Sequence, residues 1–336
     1  MTDFSITNNT AKPVAITDNQ KVQIKSQLSG INSQSSIWDN YKHLDTNNDG
    51  SLADEKISDD ILYSTGQKLG IIPDSKIQET KQGQANDCWL LSGTQALSNT
   101  EWGSKAIEQA LDTNHTGKTD DPYLVTLTNS EGKKIQVPVT SEDLSSYGKD
   151  KLTYSEGDID MNILEAGIAK YFTTEIKAGR LDKNIDDPIG GGVAAGKYSI
   201  NYLLIGKEGQ GLTTARINPE YKDVYQKLTT DNLEEVLGNY ADDTSKTAMT
   251  CAFKEPSFMQ KLFNNTSKNE QMSNHEYIIT NVKKNPAGEI TTVSYKNPWD
   301  TSIEYTIPYE TFQKRAAQIS CCLLYTSDAA DELDGV

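Results

Sequence analysis

Histidine is almost missing from this chain: His43, His115 and His275 are the only three in 336 residues. Any proton transfer that needs an imidazole therefore has three candidates. Cysteine is scarce as well, with single thiols at 88 and 251 and a pair at 321 and 322. Those positions lack the spacing of a disulfide framework or a zinc site, so neither underlies the fold. No run approaches the ~20 apolar residues that a membrane-spanning helix needs. Basic residues fall short of acidic ones, 32 against 48 for a net charge of -16, which argues against nucleic acid and anionic membranes and agrees with cation binding. The N-terminal stretch MTDFSITNNTAKPVAITDNQ has neither the basic nor the apolar region of a cleavable signal peptide. A cytoplasmic location, or export without such a signal, is the expectation.

What is present is the composition of a globular protein: 35% hydrophobic residues, with sixteen Tyr and four Trp. Residues 1–35 form a polar leader with little periodicity, expected to be mobile or weakly helical. Residues 36–75 read as helix, acidic loop, helix, and residues 76–321 as a main domain. At the far end CLLYTSDAADE matches the translation of a sequencing-library adapter. Residues 322–336 are therefore expected to be a non-native tail, and the natural chain can continue past about residue 321.

Within the main domain, Cys88–Ser98 and DIDMNILEAGIAKYF have helical apolar spacing. YLVTLTN and KIQVPVT read as a hairpin closed by SEGK. Residues 186–205 run through the glycine-rich DPIGGGVAAG to a short apolar segment at Tyr202–Ile205. The last third, YIITNVK, EITTVSY and SIEYTIP, has the β-branched and aromatic enrichment of antiparallel strands. Helices first and sheet afterwards predict an α+β fold with a helical half, 76–185, and a sheet half, 186–321.

Chemistry concentrates around QGQANDCWLL. Cys88 stands at a predicted helix N-terminus, where partial positive charge favours a nucleophilic thiolate. His275 opens a strand and can act as its base. With a five-residue turn at KNPAG, a register that sets Lys283 against Glu289 also sets His275 opposite Asn297, on one face and with β carbons ~5 Å apart. A shift of one residue would put them on opposite faces unless a bulge compensates. The Asn297 carbonyl can orient one ring nitrogen, leaving the other for the sulfur. The amide of Gln82, with the Cys88 backbone N–H, can donate to the oxyanion formed on attack at a carbonyl.

These residues resemble the calpain family of papain-fold cysteine proteases. QGQANDCWLL, ILEAGIAKY, the GGG segment, HEYIITNV, KNPWD and YETFQKRAAQIS occur in the family's order over roughly residues 78 to 320. The resemblance implies a papain-like core and a cysteine endopeptidase acting on proteins or peptides. Gln82 matches the oxyanion glutamine, Cys88 the nucleophile, His275 the base and Asn297 the orienting amide. Trp299 and Gly191 fall in the substrate cleft. Asn274 and Asp300 stand where the family usually has glycine, which bears on cleft shape. By the same resemblance Glu79 and Asp158 match acidic calcium ligands of the core.

A second calcium signal lies upstream. DTNNDGSLADEK resembles an EF-hand loop, with Asp45, Asn47 and Asp49 at positions one, three and five, Gly50 at six and Ser51 supplying a carbonyl. Position twelve is Lys56, so Glu55 would have to replace the usual bidentate glutamate. No second such loop is visible. Ca2+ is thus the expected cofactor. Two rival functions share these features: a transglutaminase-like acyl-transfer enzyme, against which Asn297 counts, and a catalytically silent calcium-binding interaction protein.

Overall fold

The computed structural model describes residues 16–145, 152–191, 196–217, 222–254 and 275–323. Asn274 and residues 324–336 lie outside them.

Residues 16–35 are more ordered than their polar sequence implies. Helix α1 (Asp18–Ser29) opens with a reciprocal capping box between Thr17 and Gln20. It buries Ile24 and Leu28 against Tyr41, Leu44, Leu52, Leu62 and Ile72. Two apolar residues four apart suffice to dock a helix whose pattern is otherwise polar. The partners are α2 (Trp38–Tyr41), extended by a 3-10 turn to Leu44, and α3 (Asp59–Lys68). The acidic loop lies between them. A short bridge of Asn32 to Ser51, with the Ser33 N–H donating to Gly50 O, supplies the backbone pairing that a second such loop would give.

The main domain has two cores. In the first, α4 (Cys88–Ser98), α5 (Glu101–Ala110) and α6 (Ile159–Lys177) pack with a small antiparallel sheet, β1 (Leu111–Asp112), β2 (Tyr123–Thr128) and β3 (Lys134–Val139). The Asp158 carboxylate caps α6, accepting from the N–H groups of Asp160 and Met161, a contact typically worth ~1 kcal/mol. Helix α7 (Ile200–Ile205) and Ile189 also join this core. Ile189, Ile200, Leu203 and Leu204, in a stretch assigned from sequence to the sheet half, therefore pack with the cysteine half, where α4 helps to cover them.

The second core is built on a seven-stranded sheet, in which β4 (Gln210–Thr213), β5 (Tyr225–Lys227), β6 (Thr247–Phe253), β7 (Glu276–Lys284), β8 (Ile290–Asn297), β9 (Asp300–Pro308) and β10 (Ala316–Leu323) run in the order 5-4-10-6-7-8-9. It is antiparallel except at β4 and β5, which pair in parallel. Strand β6 has no sequence signature, since nearly every residue is buried and no alternation remains. Strand β10 closes the middle of the sheet, and Cys322 and Leu323, placed by sequence in the tail, complete its pairing with β6. One sheet face packs on α8 (Thr230–Asp242) and the helix Tyr309–Arg315. The other contributes Ala248, Ile278 and Cys322 to the first core, against α4. The Ser92 hydroxyl of α4 donates to Glu276 O at 2.9 Å, tying that helix to β7.

Candidate active site

An open cleft of about 510 Å³ runs where the N-terminus of α4 meets the start of β7, lined by Cys88, Trp89, Gly191, His275, Glu276 and Gln318 among others. Cys88 is the first residue of α4 and 8% exposed. Trp89 fixes that helix end: its indole N–H donates to Ile189 O at 2.8 Å, and its ring stacks on Phe172. Gly191 has φ +74 and open space where a side chain would begin, so the backbone turns beside the cleft without narrowing it.

His275 and Asn297 meet by a register different from the one expected. The turn is 285–289, one residue later; Ile278 faces Lys296 and Ile279 faces Tyr295. Two irregularities, at Ile279/Asn281 and Lys283/Lys284, shift the ladder by one and back again. Their cancellation preserves parity. His275 and Asn297 thus sit diagonally on one face, with Nε2 and Oδ1 2.8 Å apart. Asn297 Oδ1 also accepts the Trp299 N–H at 3.0 Å, and the Trp299 ring, 39% exposed, lies 4.9 Å from the imidazole. Asp300 turns away, its carboxylate pairing with Lys81. The other histidines are elsewhere: His115 pairs with Asp121 and Asp112, and His43 is exposed.

Electrostatics differ from the expectation for Cys88. Burial pushes the thiol up to about 11; the amides of Glu276 and Trp89 oppose this, while the Glu276 and Asp87 carboxyls add to it. Desolvation is the largest cause, so a position at the helix N-terminus does not by itself make this thiol acidic. Burial likewise holds His275 below its ordinary value, against the Asn297 hydrogen bond. Both groups are neutral at pH 7 in this arrangement.

Gln82 is not in the cleft wall. Both amide hydrogens are engaged, with Ala85 O at 2.8 Å and Asp87 Oδ1 at 3.2 Å, so no donor faces an incoming carbonyl oxygen. Asp87 and Glu165, each 0% exposed, explain that orientation. The two carboxyls interact, and burial raises both, Asp87 to about 6 and Glu165 well above its ordinary value. Asp87 Oδ2 has no donor unless Glu165 carries a proton. The pair therefore shares one, while Ser155 N–H and Oγ donate to Glu165. Neither acid was singled out from sequence, although an acid on the apolar helix ILEAGIAKY was a usable signal.

The residues expected to ligate calcium make contacts within the protein. Asp158 is occupied as the α6 cap and also accepts from Gln78 N–H, and Glu79 reaches Lys296 at 3.6 Å. Their backbones adjoin, with Glu79 O close to Gly157. In the upstream loop, Asp45 Oδ2 accepts the Gly50 N–H, Asp49 Oδ1 the Ser51 N–H, and Asn47 Oδ1 the Asp49 N–H, the turn chemistry of an EF-like loop. Glu55 closes back on the Thr46 N–H and hydroxyl. Helix α3 starts at Asp59, three residues beyond position twelve. Among the described residues no three His, Cys, Asp or Glu side chains are gathered in one cluster.

Comparison with protein families resolves the class. A model of the calpain family of cysteine proteases matches residues 63–320. The chain belongs to that family, and the match covers the cysteine helix, both cores and the His275 and Asn297 strands. No curated protein matches the chain. A cysteine protease domain implies protein substrates, and among the described residues no helix is long and apolar enough to cross a membrane.

Proposed function

We propose that the protein is an endopeptidase that cleaves proteins through Cys88, His275 and Asn297, on a papain-like core. The observation that carries this reading is the 2.8 Å contact of His275 Nε2 with Asn297 Oδ1 on the same cleft as Cys88. With Nε2 held by the amide, Nδ1 is the nitrogen free for the sulfur. The Cys88 sulfur adds to a peptide carbonyl as its proton passes to His275, and the imidazolium then protonates the leaving amine. Water hydrolyses the thioester, returning the thiol. Because Cys88 and His275 are both neutral at rest, the proton moves only as attack occurs or after the cleft rearranges.

Gln82 supplies an oxyanion donor only by releasing Asp87 or Ala85, so we assign it that role in the substrate-bound state. Trp299 shields the His275–Asn297 bond from water, which strengthens it. Labelling with a peptidyl thiol-directed inhibitor tests the reading: modification of Cys88, lost in Cys88→Ala and suppressed in His275→Ala, supports it. An unlabelled but folded wild-type protein overturns it.

Calcium binding is proposed at the 45–55 loop alone. Asp45 Oδ1 is buried without a partner there, and a hard cation takes oxygen ligands of this kind. When bound, the ion would brace α2 and α3 against α1. At Glu79 and Asp158, whose carboxyls have Lys296 and the Gln78 N–H as partners, no ion is proposed. Calorimetric titration with Ca2+ and the Asp45→Asn variant tests the loop, and an unchanged thermal midpoint between calcium and chelator counts against it.

A further inference from the structure

Glu276 is the one carboxylate lining the cleft among the described residues, and the mechanism above gives it no task. It shares strand phase with Ile278, which packs in the first core, so its side chain leaves β7 on the face covered by α4. Across the ladder it faces Ala252 of β6, and Ala252 faces Gln318 of β10. That strip of sheet is small and polar, with Thr250 and Ser320 beside it. Behind Glu276 a recess of about 40 Å³ extends between Ser199, Asn201, Thr250 and Ser320. The Thr250 hydroxyl donates to the carboxyl. No lysine or arginine among the described residues pairs with it, and burial raises it to about 7.

A half-buried carboxylate without a cation is poorly solvated and favours whatever ligand restores its charge. An apolar side chain in this part of the cleft would desolvate it further, and an acidic one would repel it. A lysine ammonium or arginine guanidinium would pair with it. Glu276 also raises the Cys88 thiol, so a bound cation would reduce the negative field on the nucleophile at the same moment.

We propose that Glu276 determines specificity, making the cleft select protein segments that carry a lysine or arginine side chain next to the attacked peptide bond. Cleavage selectivity rests on the Cys88 reading, but the cation preference of the cleft does not, and the two are tested separately. The first measurement is the rate at which Cys88 in the full chain reacts with methanethiosulfonates bearing an ammonium, a neutral methyl or a sulfonate group. Cys88→Ala serves as the blank for the other three cysteines. The ammonium reagent should exceed the sulfonate by roughly tenfold or more, and Glu276→Gln should reduce that ratio to about twofold or less. The glutamine keeps the size of the side chain and an acceptor for Thr250, and a thermal melt checks that the variant folds. A wild-type ratio near one, or a ratio unchanged in Glu276→Gln, overturns the proposal.

The second measurement compares cleavage of peptides with Lys, Leu or Glu next to the attacked peptide bond. Preference for Lys that disappears in Glu276→Gln supports the proposal. Preference that persists there, with cleavage still abolished by Cys88→Ala, overturns it while leaving the nucleophile intact. If wild-type protein cleaves no peptide, the protease reading fails and the reagent ratio alone decides the role of Glu276.

Discussion

The two sides of the cleft are prepared to different degrees. On the sheet side His275 already holds Asn297 at 2.8 Å under the Trp299 ring. On the helix side the polar groups serve one another: Gln82 donates to Asp87, Asp87 shares a proton with Glu165, and Cys88 is a buried thiol pushed up to about 11. The contrast has a physical origin. A hydrogen-bonded ladder fixes its side chains by register, with no titration involved, whereas a helix end surrounded by buried acids depends on where a proton sits. The sheet side is set by strand register, and the helix side by where a proton sits.

The largest effect is expected at the nucleophile. Cys88→Ala should lower peptide hydrolysis by on the order of 10⁴-fold or more with an unchanged melt. Activity within tenfold of wild type would remove Cys88 from the mechanism. Asn297→Ala attacks the sheet side: it should reduce kcat by roughly 10²-fold or more, chiefly in kcat and not KM.

On the helix side, Gly83→Ala would place a Cβ 2.0 Å from Tyr154 O, a backbone clash next to Gln82. Destabilisation of about 2–3 kcal/mol, seen in a denaturant midpoint, is expected. The buried acids give a pH test whose sign is fixed. Asp87 and Asp158 are raised to about 6 and Asp160 to about 8, in each case first by burial. Groups raised in the folded state contribute stability that is full below their unfolded value of about 4 and is lost as pH rises through the folded value. The thermal midpoint should therefore fall between about pH 4 and 8, and Asp160→Asn should flatten the upper part of that fall. The smallest effect is expected at the surface: Glu79→Gln breaks only an exposed 3.6 Å pair with Lys296 and should change stability by ~0.5 kcal/mol or less.

Much of the site was legible in the sequence for reasons that can be named. With three histidines, one at the head of a β-branched run, the choice of His275 followed almost by elimination. Helix α4 was readable from Cys88 to Ser98 because its apolar run is unbroken, and the hairpin of β2 and β3 because each strand is bounded by turn residues. The register was not legible, since two compensating irregularities leave no mark in composition. Strand β6 was hidden for the opposite reason: burial on both faces removes the period on which strand recognition depends. Glu276 could have been found, because a charge one residue after His275 must face the opposite side of β7, where the helix lies.

By itself, then, the sequence determined the chemical inventory of this protein: a thiol ahead of an apolar helix, an imidazole and an amide on neighbouring strands, and an EF-like acidic loop. Residue type and local periodicity are enough for that, because they act over a few residues. Only the tertiary structure decided how those groups are charged and aimed. It turned the Gln82 amide onto Asp87, paired Asp87 with Glu165, raised the Cys88 thiol and brought Glu276 beside it. Desolvation and proton sharing depend on what surrounds a group in space, and Glu165 and Glu276, distant in the chain from Asp87 and Cys88, supply part of those surroundings here.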